Sequence, residues 1–161
     1  MSSPLSIAAI VGRPNVGKST LFNRLIGRRS ALVEKKPGIT RDRNYGKARY
    51  HGFEFIVVDT GGFEPVAETS LIQKMAQQAQ LAVEEADCVL FVVNAQEGWT
   101  HADEEIYRTL VEAGRPLFVV VNKADINVSK MKAWSFTSLA LRKYSLFLPS
   151  IIAALKACFR K

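Results

Sequence analysis

The sequence predicts an α/β fold: a mainly parallel sheet with helices on both faces. Three observations carry this. Short apolar runs alternate with helix-like segments through the first 125 residues. Two of those runs, Cys88 to Val93 and Leu117 to Val121, are continuously apolar, as strands buried on both faces are. A glycine-rich loop, Gly12 to Gly17, joins the first apolar run to the first helical segment.

Each element has its own signal. Ile7 to Val11 is a short apolar strand entering the loop. Ser19 to Ile26 reads as a helix with Leu21, Phe22 and Leu25 on one face. Arg28 to Asn44 is polar, contains Pro37-Gly38, and reads as a loop. Tyr45 to Tyr50 and Glu54 to Asp59 flank His51-Gly52 as a hairpin. Thr69 to Glu85 is a long helical stretch. Thr100-His101-Ala102-Asp103 resembles a capping box for a helix running to Ala113, with Gly114 as its stop.

A length of 161 residues suits one domain, and a 48% hydrophobic content excludes a wholly disordered chain. Cys88 and Cys158 form no disulfide framework, which points to a reducing setting. No secretory signal is read in the first residues, and a cytoplasmic location is expected. The net charge of +7 suggests nucleic acid or a membrane surface until its distribution is read. Residues 1–125 hold 15 basic and 15 acidic residues, whereas residues 126–161 hold seven basic and no acidic ones.

Gly12-Arg13-Pro14-Asn15-Val16-Gly17-Lys18-Ser19 fits the spacing GxxxxGK[ST]. Glycines let backbone N–H groups turn inward around phosphate oxygens, and the following helix aims its N-terminal donors at the same anion. Lys18 is expected to neutralise the β- and γ-phosphates, the Ser19 hydroxyl to ligate Mg²⁺, and Thr20 to complete the contact set. Asp59-Thr60-Gly61-Gly62 follows an apolar strand, where Asp59 can hold the Mg²⁺ hydration shell and the Gly62 N–H can meet a γ-phosphate. Taken alone, Asp before Gly is an ordinary turn.

Asn122-Lys123-Ala124-Asp125 follows the last buried run. Asp125 would accept from guanine N1–H and the 2-amino group, which adenine lacks; such a site discriminates by about 10⁴-fold or more. Lys123 would lie along the base, and Asn122 would tie this loop to the phosphate loop. Thr40 sits where a nucleotide-sensing loop belongs, and its hydroxyl can complete the Mg²⁺ shell when a γ-phosphate is present. The plainer alternative is a turn threonine.

With these residues in place, residues 5–134 resemble a P-loop NTPase of the small GTPase-like G-domain type. More narrowly, they resemble the first G domain of bacterial Der (EngA) ribosome-assembly GTPases. The matching stretches are GRPNVGKSTLFNRL, KKPGITRDRNYG, VVDTGGFEP and VVNKAD. GRPNVGKS is shared with Era and MnmE relatives, which remain an alternative. The resemblance implies GTP hydrolysis to GDP, as a switch in maturation of the large ribosomal subunit, with Lys18, Thr40 and Gly62 acting at the γ-phosphate. It also implies a longer family protein, with a second G domain and a KH-like domain outside this chain. Phe63 stands where Ras-type enzymes place a water-orienting Gln, so its side chain cannot position water. Asn15 matches the asparagine that binds K⁺ in potassium-activated relatives; the other reading is a loop-shaping residue.

The pattern breaks after Trp134. The family's last guanine-contacting loop, a Ser-Ala-Lys/Glu-like motif, is missing from residues 135–161. One G placed before a possible coding sequence for Ser135 to Lys161 restores EFYFLGFEKIFPISAEHNRGVESLLQE, which supplies the motif as SAE and resembles the family ending. Residues 135–161 are therefore expected to be an out-of-frame, non-family tail, the alternative being a genuine divergent one. The basic excess then reports a reading frame rather than a ligand, and direct RNA binding by this chain is not expected. The chain as written is expected to lose a guanine contact, the last strand and the helix covering the sheet, with weak nucleotide affinity and poor stability as consequences. Tyr144 to Leu155 is an uncharged run too short to span a bilayer, and Pro149 argues against a membrane-surface helix there.

Overall fold

The computed structural model describes residues 5–27, 44–50, 52–60, 83–123 and 148–159. The sheet they form has five strands in the order β2-β3-β1-β4-β5. These are β1 (Ile7–Val11), β2 (Asn44–Tyr50), β3 (Phe53–Asp59), β4 (Cys88–Asn94) and β5 (Leu117–Asn122). β1 lies parallel between β3 and β4, and β4 is parallel to β5. β2 returns antiparallel on β3 as a hairpin, with Asn44 opposite Asp59 and Tyr50 opposite Phe53.

The strands β1 and β4 read as apolar runs because both of their faces are covered. Alternate residues enter two cores. Ala8, Ile10, Leu90 and Val92 face one side, with Leu21, Phe22 and Leu25 of helix α1 (Lys18–Ile26). Ala9, Val11, Phe91 and Val93 face the other, with Ile106, Tyr107 and Leu110 of helix α2 (His101–Glu112). α2 opens on the expected capping box: Thr100 Oγ1 accepts from the Asp103 N–H at 3.3 Å, and Asp103 Oδ2 accepts from the Thr100 N–H at 2.9 Å. The described helical residues 83–85 lie at the end of the stretch predicted over Thr69 to Glu85. The rest of that stretch, and His51 of the hairpin turn, fall outside the described residues.

The structure overturns the expected loss of a covering helix. The tail does not leave the sheet without a covering helix at its end of the chain. Helix α3 (Leu148–Phe159) buries Ile151, Ile152 and Leu155 in the same core as α1. Phe159 packs 5.9 Å from Phe53 and 6.3 Å from Phe55, ring centre to ring centre. Pro149 is no obstacle because it lies in the first turn, where its missing N–H would have no helical partner. The residues at i, i+1, i+4, i+7 and i+8 from Ile151 form one apolar stripe, which is what seats the helix. Among the described residues β5 is an edge of the sheet; the segment of the tail between β5 and α3, where a last strand would lie, falls outside them.

Candidate functional site

The C-terminal ends of β1, β3, β4 and β5 lie along one edge of the sheet, because all four strands run the same way. Loops leaving that edge therefore converge. Gly12 through Gly17 leave β1, Asp59 ends β3 with Thr60 just beyond it, Asn94 ends β4, and Asn122 ends β5 with Lys123 just beyond it.

The phosphate loop wraps the start of α1. Gly12 and Gly17 adopt φ of +154° and +99°. A Cβ on Gly12 would run into the Val92 carbonyl oxygen, and one on Gly17 into Asn122 Nδ2, so both positions exclude side chains. Asn15 adopts φ of +63°, a left-handed conformation that asparagine tolerates better than most residues. The side chains of Pro14, Asn15 and Thr20 sit on exposed residues, while Val16 is buried beneath the loop. No side chain caps α1 among the described residues, so its first N–H groups are directed into the loop.

Lys18 is only 8% exposed. Its Nζ donates to the Arg13 carbonyl at 2.7 Å. Burial pushes the ammonium below its ordinary value; Asp59 opposes that shift and Arg13 adds to it. Ser19 Oγ donates to Asp59 Oδ2 at 2.9 Å, across the β1–β3 pair. Asp59 is buried, and the adjoining Thr60 Oγ1 donates to the Ile10 carbonyl at 2.8 Å, which fixes the end of β3. A hydroxyl and a carboxylate so close form a hard-oxygen pair. Such a pair suits Mg²⁺, which keeps most of its waters and takes few protein ligands.

The β5 end is tied to the same loop. Asn122 Nδ2 donates to the Val16 carbonyl at 2.9 Å, and Lys123 Nζ donates to the Asn15 carbonyl at 2.7 Å. Lys123 itself has φ of +57°. Thr40, Gly61, Gly62, Phe63, Ala124 and Asp125 lie outside the described residues.

Sequence reasoning missed the environment of Arg13. Its Nε donates to Asp103 Oδ1 at 2.8 Å. Its Nη2 lies 2.8 Å from Glu97 Oε2, an ion contact rather than an aligned hydrogen bond. Burial disfavours the guanidinium charge, but Asp103 and Glu97 outweigh it and hold the group above its ordinary value. Asp103 was legible as a helix cap; nothing in the spacing connects it to a residue 90 positions earlier.

A glycine loop opening a helix beside a carboxylate-tipped parallel strand is the arrangement of a P-loop domain, and the matches to known proteins narrow it to the G-domain fold. Residues 7–123 match the family model described as 50S ribosome-binding GTPase. The chain belongs to that family. It is 51% identical over 137 residues to GTPase Der of Syntrophotalea carbinolica, and 52% identical over 136 residues to GTPase Der of Trichlorobacter lovleyi. Those stretches cover 85% and 84% of this chain, but only 31% and 30% of the relatives. The chain thus spans about a third of the curated proteins it matches. Among solved structures, Aquifex aeolicus Era bound to GDP and AlF₄⁻ superposes with a TM-score of 0.60 at 35% identity. That match covers 96% of this chain and 48% of the other. Among the described residues, no helix is long and apolar enough to cross a membrane.

Proposed function

We propose that this chain is the GTP-binding and GTP-hydrolysing G domain of a Der-type protein, the first of its two, acting in the cytoplasm in assembly of the large ribosomal subunit. The observation that carries the nucleotide reading is the buried Lys18 beside the Ser19–Asp59 pair at 2.9 Å. Asp59 offsets only part of the cost of enclosing this ammonium, and a phosphate supplies a further anionic partner. Identity favours a Der-type over an Era-type protein: the Der relatives stand at 51–52%, the Era structure at 35%. The ribosomal role rests on the family description and on the Der relatives.

In the reaction, water attacks the γ-phosphorus and the bond to the β–γ bridging oxygen breaks, giving GDP and inorganic phosphate with release of a proton. Mg²⁺, when bound, neutralises charge on the β- and γ-phosphate oxygens, and Ser19 and Asp59 would hold it, with Thr40 joining in the GTP state. Backbone N–H groups of the loop from Gly12 to Thr20, Pro14 having none to give, cradle the phosphates, and Lys18 places its charge on the β–γ oxygens. The Gly62 N–H holds the γ-phosphate, and Phe63 supplies no group to orient water. Asn122, Lys123, Ala124 and Asp125 select guanine, with Asp125 as the discriminating acceptor. Asn15 is the candidate K⁺ ligand.

Phosphate release from GTP in Mg²⁺, compared in K⁺ and Na⁺ buffers, tests this reading. Turnover is expected in both, faster in K⁺. Equal rates would remove the K⁺ role. GTP binding without any phosphate release would favour a non-catalytic guanine-nucleotide module, the reading that Phe63 supports.

A further inference from the structure

Arg13 lies inside the phosphate loop, yet its side chain leads to the start of α2. Its backbone carbonyl receives Lys18 Nζ at 2.7 Å, while its Nε is bound to Asp103 Oδ1 at 2.8 Å. Asp103 is fully buried and divides its oxygens. Oδ2 accepts from the Thr100 N–H at 2.9 Å and from Thr100 Oγ1 at 2.7 Å, which leaves Oδ1 for Arg13. The second anchor, Glu97, is itself held by Asn94 Nδ2 at 2.6 Å, at the end of β4. The strap therefore runs from the phosphate loop across β4 to the cap of α2.

We propose that Arg13 is a positioning residue whose guanidinium, anchored on Asp103 and Glu97, fixes the carbonyl that receives Lys18 and so shapes the phosphate loop before nucleotide arrives. The inference rests on the guanine-nucleotide reading above. A loop held in its binding shape loses less conformational freedom on binding, so the strap acts on affinity. The competing role, direct phosphate binding by Arg13, would require it to leave both carboxylates. Asp103 would then be a buried carboxylate without its cation, an expensive state.

Nucleotide titration of the full chain decides between these roles. Arg13→Gln and Asp103→Asn are each expected to weaken GDP binding about tenfold, and the double variant by about the same factor, because both cut one strap. In GTP turnover the loss is expected in KM, with kcat within about threefold. Thr100→Ala, which removes the cap but leaves Oδ1 on Arg13, is expected to lower Tm without changing GDP affinity. If Asp103→Asn does not fold, Glu97→Gln serves instead, with an expected loss of about threefold. GDP binding by Arg13→Gln equal to wild type, tighter binding by Asp103→Asn, or multiplicative losses in the double variant would each overturn the strap. A wild-type chain that binds no guanine nucleotide would overturn the functional reading, and this proposal with it. Wild-type binding with unaltered variants would overturn the proposal alone.

Discussion

At Lys18, burial of a charged group works against the stability of the nucleotide-free chain. Its ammonium is nearly enclosed, and burial lowers its proton affinity in the nucleotide-free chain. The folded value lies below the unfolded one, so the unfolded chain binds more protons between the two. Stability from this group therefore rises with pH through the window between the lowered value and 10.5. Lys18→Met is expected to remove that slope, to hold or raise Tm without nucleotide, and to weaken GDP binding by about 10- to 100-fold, as loss of a charge-assisted contact does. Chemical unfolding of both proteins across alkaline pH, with a GDP titration, checks this. A large loss of nucleotide-free stability would show that the lysine holds the fold rather than the ligand.

Among the elements, α3 gives the sharpest contrast between contacts. Leu155 is fully buried, so Leu155→Ala is expected to cost about 2–5 kcal/mol, readable as a lower urea midpoint. Lys156 Nζ lies 5.7 Å from the Phe53 ring centre, on the rim of the same contact. Lys156→Ala is expected to cost about 0.5–1 kcal/mol at most. Equal effects would mean that α3 does not dock through its apolar stripe. The strands and α2 were legible because their signals are local: unbroken apolar runs, and a cap three residues from its partner. α3 was less legible because Pro149 is compatible with a helix only in its first turn, and the stripe behind it is only five residues wide. The Arg13–Asp103 contact has no local signal at all, since only the convergence of β1 and β4 brings its ends together. In the site itself, the loop spacing announced Lys18 and Ser19, and Asp59-Thr60-Gly61-Gly62 at a strand end announced Asp59, whereas the enclosure of Lys18 emerges only from packing.

At the scale of the whole molecule, the parallel run of β1, β3, β4 and β5 explains why distant motifs meet at one edge. Asn122 reaches Val16, and Lys123 reaches Asn15, across more than a hundred residues of chain. The excess charge of the whole chain lies beyond residue 125, away from these motifs in sequence. We propose that the tail from residue 135 reflects a lost G, and the coding DNA should then show a TGG codon for Trp134 followed by codons compatible with the restored family ending; incompatible codons would make the tail genuine. Whatever the tail's origin, we propose that the phosphate loop of this chain holds a guanine nucleotide. Calorimetric titration of the full chain with GDP and with ADP, in Mg²⁺, tests it most directly. One-site GDP binding, with ADP at least about 100-fold weaker and Lys18→Met impaired, is the predicted result. Equal binding of GDP and ADP, or GDP binding untouched by Lys18→Met, would contradict it.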